Sequence, residues 1–141
     1  MAVHITDSAK ETEKLGEKIA KKLLGRIFAL TGELGNGKTT FVKGFARGLG
    51  IKKRVISPSF VYIRPYAIRH KLYTNLYHID LYRLEKPSDV KGLGLEEIWS
   101  NPYNIVIIEW AEKIKKILPK ERVEIYFQYL DKNKRKITIE Q

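Results

Sequence analysis

Residues 32 to 39, Gly-Glu-Leu-Gly-Asn-Gly-Lys-Thr, satisfy the spacing GxxxxGK[ST] at every fixed position. Glycine lets a backbone curl until successive N–H groups face inward, and such a nest runs on into the positive end of a following helix. Phosphate oxygens fill a nest of this kind. Lys38 is placed to reach the β and γ phosphates of a nucleotide, and the Thr39 hydroxyl to be a ligand of the Mg²⁺ that bridges them. Thr40 either adds a contact to the α phosphate or is an ordinary first-turn residue. The competing reading of the octapeptide is a tight strand-to-helix turn carrying an incidental lysine.

A phosphate loop needs an acid for its metal, usually at the end of a neighbouring buried strand. Glu109, ending IVIIE, is the first candidate; its alternative role is to cap the helix read over AEKIKKIL. Asp80, in LYHIDLYRL, is the second, binding the metal through water or positioning the attacking water. Its alternative is a structural salt bridge to Arg83. His78 can share a strand face with Asp80, where packing is its ordinary role, and Arg83 as an arginine finger is not relied on. Ser57 and Ser59 flank Pro58 after the loop's helix and read either as a switch segment sensing the γ phosphate or as a polar turn. Trp99 and Trp110 read as core or interface anchors rather than base-stacking platforms.

These residues need elements to hold them. Ser8-Ala-Lys-Glu11 has capping-box spacing, and Leu15, Ile19 and Leu23 recur every four residues, which predicts a first amphipathic helix ending near Gly25. RIFALTG predicts a buried strand; Phe41, Val42, Phe45 and Leu49 predict a second helix stopping at Gly50. FVYIRPYAI and KLYTNLYHIDLYRL predict an antiparallel pair, and KPSDVKGLGLEEIWSNP one or two short helices. NIVIIEW is a buried central strand, AEKIKKIL a short basic helix, and RVEIYFQYL with RKITIEQ a hairpin around DKNK. Residues 1–141 read as one domain, without repeats or low-complexity linkers.

Composition bounds the setting. Lys plus Arg number 27 against 16 Asp plus Glu, a formal net charge of +11, which favours nucleic acid or acidic protein surfaces as partners or reflects a lysine-rich solvated surface. Cysteine is absent, no apolar run is long enough to span a bilayer, and the N-terminus lacks the pattern of a signal peptide, so a cytoplasmic location is expected. Three nucleotide-using classes remain. A GTP switch needs NKxD, but Asn133-Lys134-Arg135-Lys136 lacks the acid. A small-molecule kinase needs an acceptor pocket and a lid, for which the chain leaves little room. An ATPase acting on a larger assembly is favoured.

LTGELGNGKTTFVKGFARGLG, SPSF, YHIDLYRL, LGLEEIW and IIEW, in this order and spacing, closely resemble the TsaE (YjeE) family over nearly the whole chain. The resemblance implies a small bacterial ATPase required for N6-threonylcarbamoyladenosine at position 37 of tRNAs reading ANN codons. It implies TsaB and TsaD as partners, whose turnover ATP supports, without itself forming the threonylcarbamoyl bond. It also implies an α/β, P-loop NTPase-like three-layer fold whose mostly parallel central sheet carries antiparallel edge strands. The family's phosphate-binding stretch falls on Gly35, Asn36, Gly37, Lys38, Thr39 and Thr40, its magnesium ligands on Thr39 and Glu109, and its functionally important acid on Asp80. Thr12 matches a position near the nucleotide, and either Arg135 or Lys136 a late basic position. The chain departs from the family at Ser59, where threonine is usual, and at Trp99, where another aromatic is common. Turnover is expected to be slow until partners complete the site; the rival reading is a nucleotide-dependent clamp on tRNA or partner.

Overall fold

The computed structural model describes residues 1–33, 35, 37–53, 55 and 62–141. Ser57, Ser59 and Asn36 lie outside the described residues. Helix α1 (Ala9–Lys22) is opened by Ser8, whose hydroxyl accepts the Glu11 N–H at 3.1 Å, while Glu11 Oε1 accepts the Asp7 N–H at 2.9 Å. The reciprocal bond of the expected capping box therefore lands one residue early. The helix ends at Leu23, left-handed at φ 42° and two residues short of Gly25, with the Leu23 side chain packed against the core.

Strands β1 (Ala2–Thr6), β2 (Ile27–Thr31), β3 (Tyr62–Ala67), β4 (Asn75–Asp80), β5 (Asn104–Glu109), β6 (Val123–Tyr129) and β7 (Arg135–Glu140) form one sheet. Its order is β1-β7-β6-β2-β5-β4-β3. The centre, β6-β2-β5-β4, is parallel, and antiparallel strands extend it on both sides. Every residue of β5 is buried, as the apolar run IVII requires of a strand covered on both faces.

Helix α2 (Lys38–Gly48) and α1 cover one face, where Phe28 meets Phe45 edge to face at 4.8 Å and Phe41 meets Phe127 at 5.5 Å. Helix α3 (Leu95–Ser100) and 3₁₀ turns at Pro87–Val90 and Ala111–Ile114 cover the other, packing Leu95, Trp99 and Ile114 against Ala29, Val106 and Ile108. Two expectations change. AEKIKKIL forms only the 3₁₀ turn, which the chain enters from β5 through Trp110, left-handed at φ 61°. Strand β1 was not anticipated, because Val3 and Ile5, its most apolar residues, face solvent and its partner β7 lies at the other end of the chain. Among the described residues no helix is long and apolar enough to cross a membrane.

The two helices over the glycine loop approach closely. A Cβ built on Gly44 of α2 would lie 1.8 Å from the Glu13 carbonyl oxygen of α1, a backbone atom that moves only if the helix moves. This contact brings Thr12 of α1 beside Gly37 at the start of α2. Gly44→Ala should therefore destabilise the fold by about 1–3 kcal/mol, the usual range for overpacking. Urea unfolding measures the loss; an unchanged midpoint would show that the helices can separate freely.

Candidate functional site

The parallel strands β2, β4 and β5 all end at the same edge of the sheet, the place where open α/β sheets bind ligands. The chain leaving β2 bends through Gly35 (φ 78°) and Gly37 (φ 93°) before α2 begins at Lys38. Gly37 is the N-cap, and its left-handed backbone is one that residues with a Cβ rarely adopt. A cavity of about 360 Å³ opens there. Gly35, Gly37, Lys38, Thr39 and Thr40 form one wall and Asp80 and Glu109 another, with Thr12 and Arg135 at further points on the rim. All these candidates are thus brought together.

Lys38 is buried, and its ammonium donates to the carbonyls of Gly32 and of Glu33, the latter at 2.8 Å. It also sits 4.0 Å above the centre of the Trp110 ring. Burial lowers its pKa, opposed by the negative charges of Glu112, Glu109, Asp80 and Glu33. Glu112, in the 3₁₀ turn after Trp110, is the foremost of those charges and was not singled out from the sequence.

Glu109 does not cap the following turn. Its Oε1 accepts the Thr39 hydroxyl at 2.8 Å and its Oε2 meets His78 Nε2 at 2.6 Å, with the carboxylate 2 % and the imidazole 0 % exposed. His78 is therefore more than packing. The signal available was its alternation with Asp80 in HID, since both face the glycine loop; nothing in the sequence says that the imidazole reaches a carboxylate on the next strand.

Asp80 sits opposite Glu109 across β4 and β5, and its Oδ1 accepts the Tyr82 N–H at 2.9 Å. The described ion pairs do not join it to Arg83, which is exposed against the Tyr82 ring. Burial first, and the charge of Glu109 second, raise the Asp80 pKa, against the Tyr82 bond, His78 and Lys38. Lys113 donates to the carbonyls of Tyr82 and Leu84 and so ties the turn after Asp80 to the turn after Glu109.

Of the two late basic residues, Arg135 lines the cavity and donates to the Gly35 carbonyl at 3.0 Å. Lys136 belongs to the opposite face of β7 by strand alternation. Lys132 and Asn133, at the tip between β6 and β7, also line the cavity. Their contribution was not legible beforehand, because it depends on that hairpin returning over the glycine loop. On the α1 side the Thr12 hydroxyl is held by Thr6 of β1 at 2.8 Å.

The strand, glycine loop and helix, with a buried acid from the adjacent parallel strand bonded to the first-turn threonine, define the P-loop NTPase-like class of α/β fold. The family described as "Threonylcarbamoyl adenosine biosynthesis protein TsaE" matches residues 6–137. A tRNA threonylcarbamoyladenosine biosynthesis protein TsaE from Bacillus subtilis is 40% identical over 132 residues, covering 94% of this chain and 78% of that protein. Its namesake from Treponema pallidum is 36% identical over 136 residues, covering 96% of this chain and 97% of that one. The crystal structure of YdiB from Bacillus subtilis superposes with a TM-score of 0.77 at 33% identity, covering 98% of this chain and 83% of that one. The chain belongs to the TsaE family.

The raised Asp80 pKa has a stability consequence with a definite sign. Between the ordinary carboxylate range and its native pKa, Asp80 binds more proton in the folded than in the unfolded state, so stability falls as pH rises through that window. Above the window the ionised group opposes folding in full. Asp80→Asn, which keeps an oxygen for the Tyr82 N–H, should make the nucleotide-free protein more stable than the parent at neutral pH. Urea midpoints of the two should converge as pH drops below the ordinary carboxylate range; a variant no more stable at neutral pH contradicts the assignment.

Proposed function

We propose that this chain is a Mg²⁺-dependent ATPase that acts in the biosynthesis of threonylcarbamoyladenosine on tRNA, with TsaB and TsaD as its partners. The observation that carries the reading is the 2.8 Å bond between Thr39 and Glu109 beside the buried Lys38, at the opening of α2. Curated relatives named for this biosynthesis supply the pathway. The lack of an NKxD element supports adenine over guanine.

The donor set fits magnesium. Thr39 and Glu109 offer hard oxygens from two elements, and Mg²⁺ is commonly held by one or two protein oxygens with phosphates and water completing its shell. When bound, the ion would supply positive charge against the phosphates. The chain's own residues do the remainder. The first-turn N–H groups of α2 would receive the phosphates, and Lys38 would exchange two neutral carbonyl acceptors for phosphate oxygens, which form stronger charge-assisted bonds. Asp80, buried at the cavity wall with its proton affinity raised, suits the role of positioning water and accepting its proton. Arg135 is bonded to backbone carbonyls at the rim of the cavity, where a partner that reorganises the site would free it or add a cation of its own, which would account for slow turnover alone.

Hydrolysis by the purified chain should be slow and should rise when TsaB, TsaD and tRNA are added in turn. Fast turnover indifferent to them contradicts the partner assignment, and a single burst of one ATP per complex favours the clamp reading. Lys38→Ala should reduce hydrolysis at least about 100-fold, the scale of losing one preorganised charge donor, with the thermal midpoint kept. Withdrawal of Lys38 from the Trp110 ring on ATP binding should change tryptophan emission. Trp110→Phe, which leaves the buried Trp99, should abolish that change.

A further inference from the structure

His78 has no part in the reading above, yet it is wholly buried in the face of β4 turned toward the glycine loop. Its register partner on β5 is Ile107, so Glu109 is its diagonal neighbour on the same face, within reach of a long side chain. A polar ring enclosed among Leu76, Ile105 and Ile107 costs free energy that an apolar residue of similar size would not. A carboxylate only accepts, so His78 donates its Nε2–H to Glu109 Oε2.

The carboxylate is thereby divided. Oε2 is committed to His78 from below, and Oε1 is turned to Thr39, the other proposed metal ligand. Magnesium demands near-ideal octahedral geometry and tolerates misplaced ligands poorly. A carboxylate pinned through its second oxygen presents the first at a set position; an unpinned one rotates. It is also fixed relative to Asp80, which faces it across the strands and whose charge it influences.

We propose that His78 is a positioning residue for the metal: it orients Glu109 so that the carboxylate and Thr39 together receive Mg²⁺ with the nucleotide. The inference rests on the proposed nucleotide and metal site, though not on turnover. Its test is the affinity of Mn²⁺ for the ADP complex of the full chain, followed by the electron paramagnetic resonance signal of free Mn²⁺, beside ADP affinity in EDTA.

His78→Leu should weaken Mn²⁺ binding about 10- to 100-fold, the usual effect of losing a group that orients a metal ligand, with ADP affinity in EDTA unchanged. His78→Gln, whose amide nitrogen can take the place of Nε2, should restore most of it, whereas His78→Asn, whose amide falls short of Glu109, should not. A purely structural role would lower metal-free ADP affinity alongside, with no difference between glutamine and asparagine. Equal Mn²⁺ affinity in parent and His78→Leu overturns the proposal. Should His78→Leu fail to fold, the glutamine and asparagine variants decide it, and equal affinity in those two overturns it. If the parent forms no Mn²⁺–ADP complex, the nucleotide and metal reading fails as well. If the parent binds but never hydrolyses ATP, only the ATPase reading fails.

Discussion

A carboxylate buried at the end of a strand covered on both faces has to be held by whatever surrounds it, because an ion removed from water without partners costs several kcal/mol. Glu109 is in that position, and its partners come from two separate elements: Thr39 from the first turn of α2 and His78 from β4. Satisfying both oxygens ties together the register of β4 against β5, the placement of β5 beside β2, and the point at which the glycine loop becomes a helix. The close contact of Gly44 with α1 then seats α2, and with it Thr12, over the same spot.

The charges of the site are left in tension. Lys38 is buried against its own loop's carbonyls and the Trp110 ring, in the neighbourhood of Glu112, Glu109, Asp80 and Glu33. Asp80 is held close to a like charge and away from water. Neither arrangement is the best one for an isolated fold. Both suit a site that receives a polyanion with its cation, in which Lys38 acquires charged acceptors and the carboxylates acquire a counter-charge. Under the proposed ATPase reading, the strain in the nucleotide-free site is relieved by the substrate.

The hairpin of β6 and β7 gives the sheet a second role. By extending the parallel centre it carries Arg135 to the Gly35 carbonyl and Lys132 and Asn133 to the cavity rim, while β1, added outside it, holds Thr12 through Thr6. Edge strands that look peripheral in the topology thus complete the enclosure of the site.

The glycine loop, the helix after it, the buried strand ending in Glu109 and the terminal hairpin were legible from residue order, because each depends on local spacing: glycines where φ must be positive, a period of two or 3.6, and an unbroken apolar run. The same reading also picked out most of the cavity wall, from Lys38 and Thr39 to Asp80 and Glu109, and the family resemblance added Thr12. Tertiary structure alone decided the rest. It made His78 a partner of Glu109, chose Arg135 over Lys136 for the cavity, placed Glu112 near Lys38 and recruited AVHIT as a strand. Each of these turns on which strand lies beside which and in what register, and side-chain patterns along one segment carry no record of the neighbour that segment will meet.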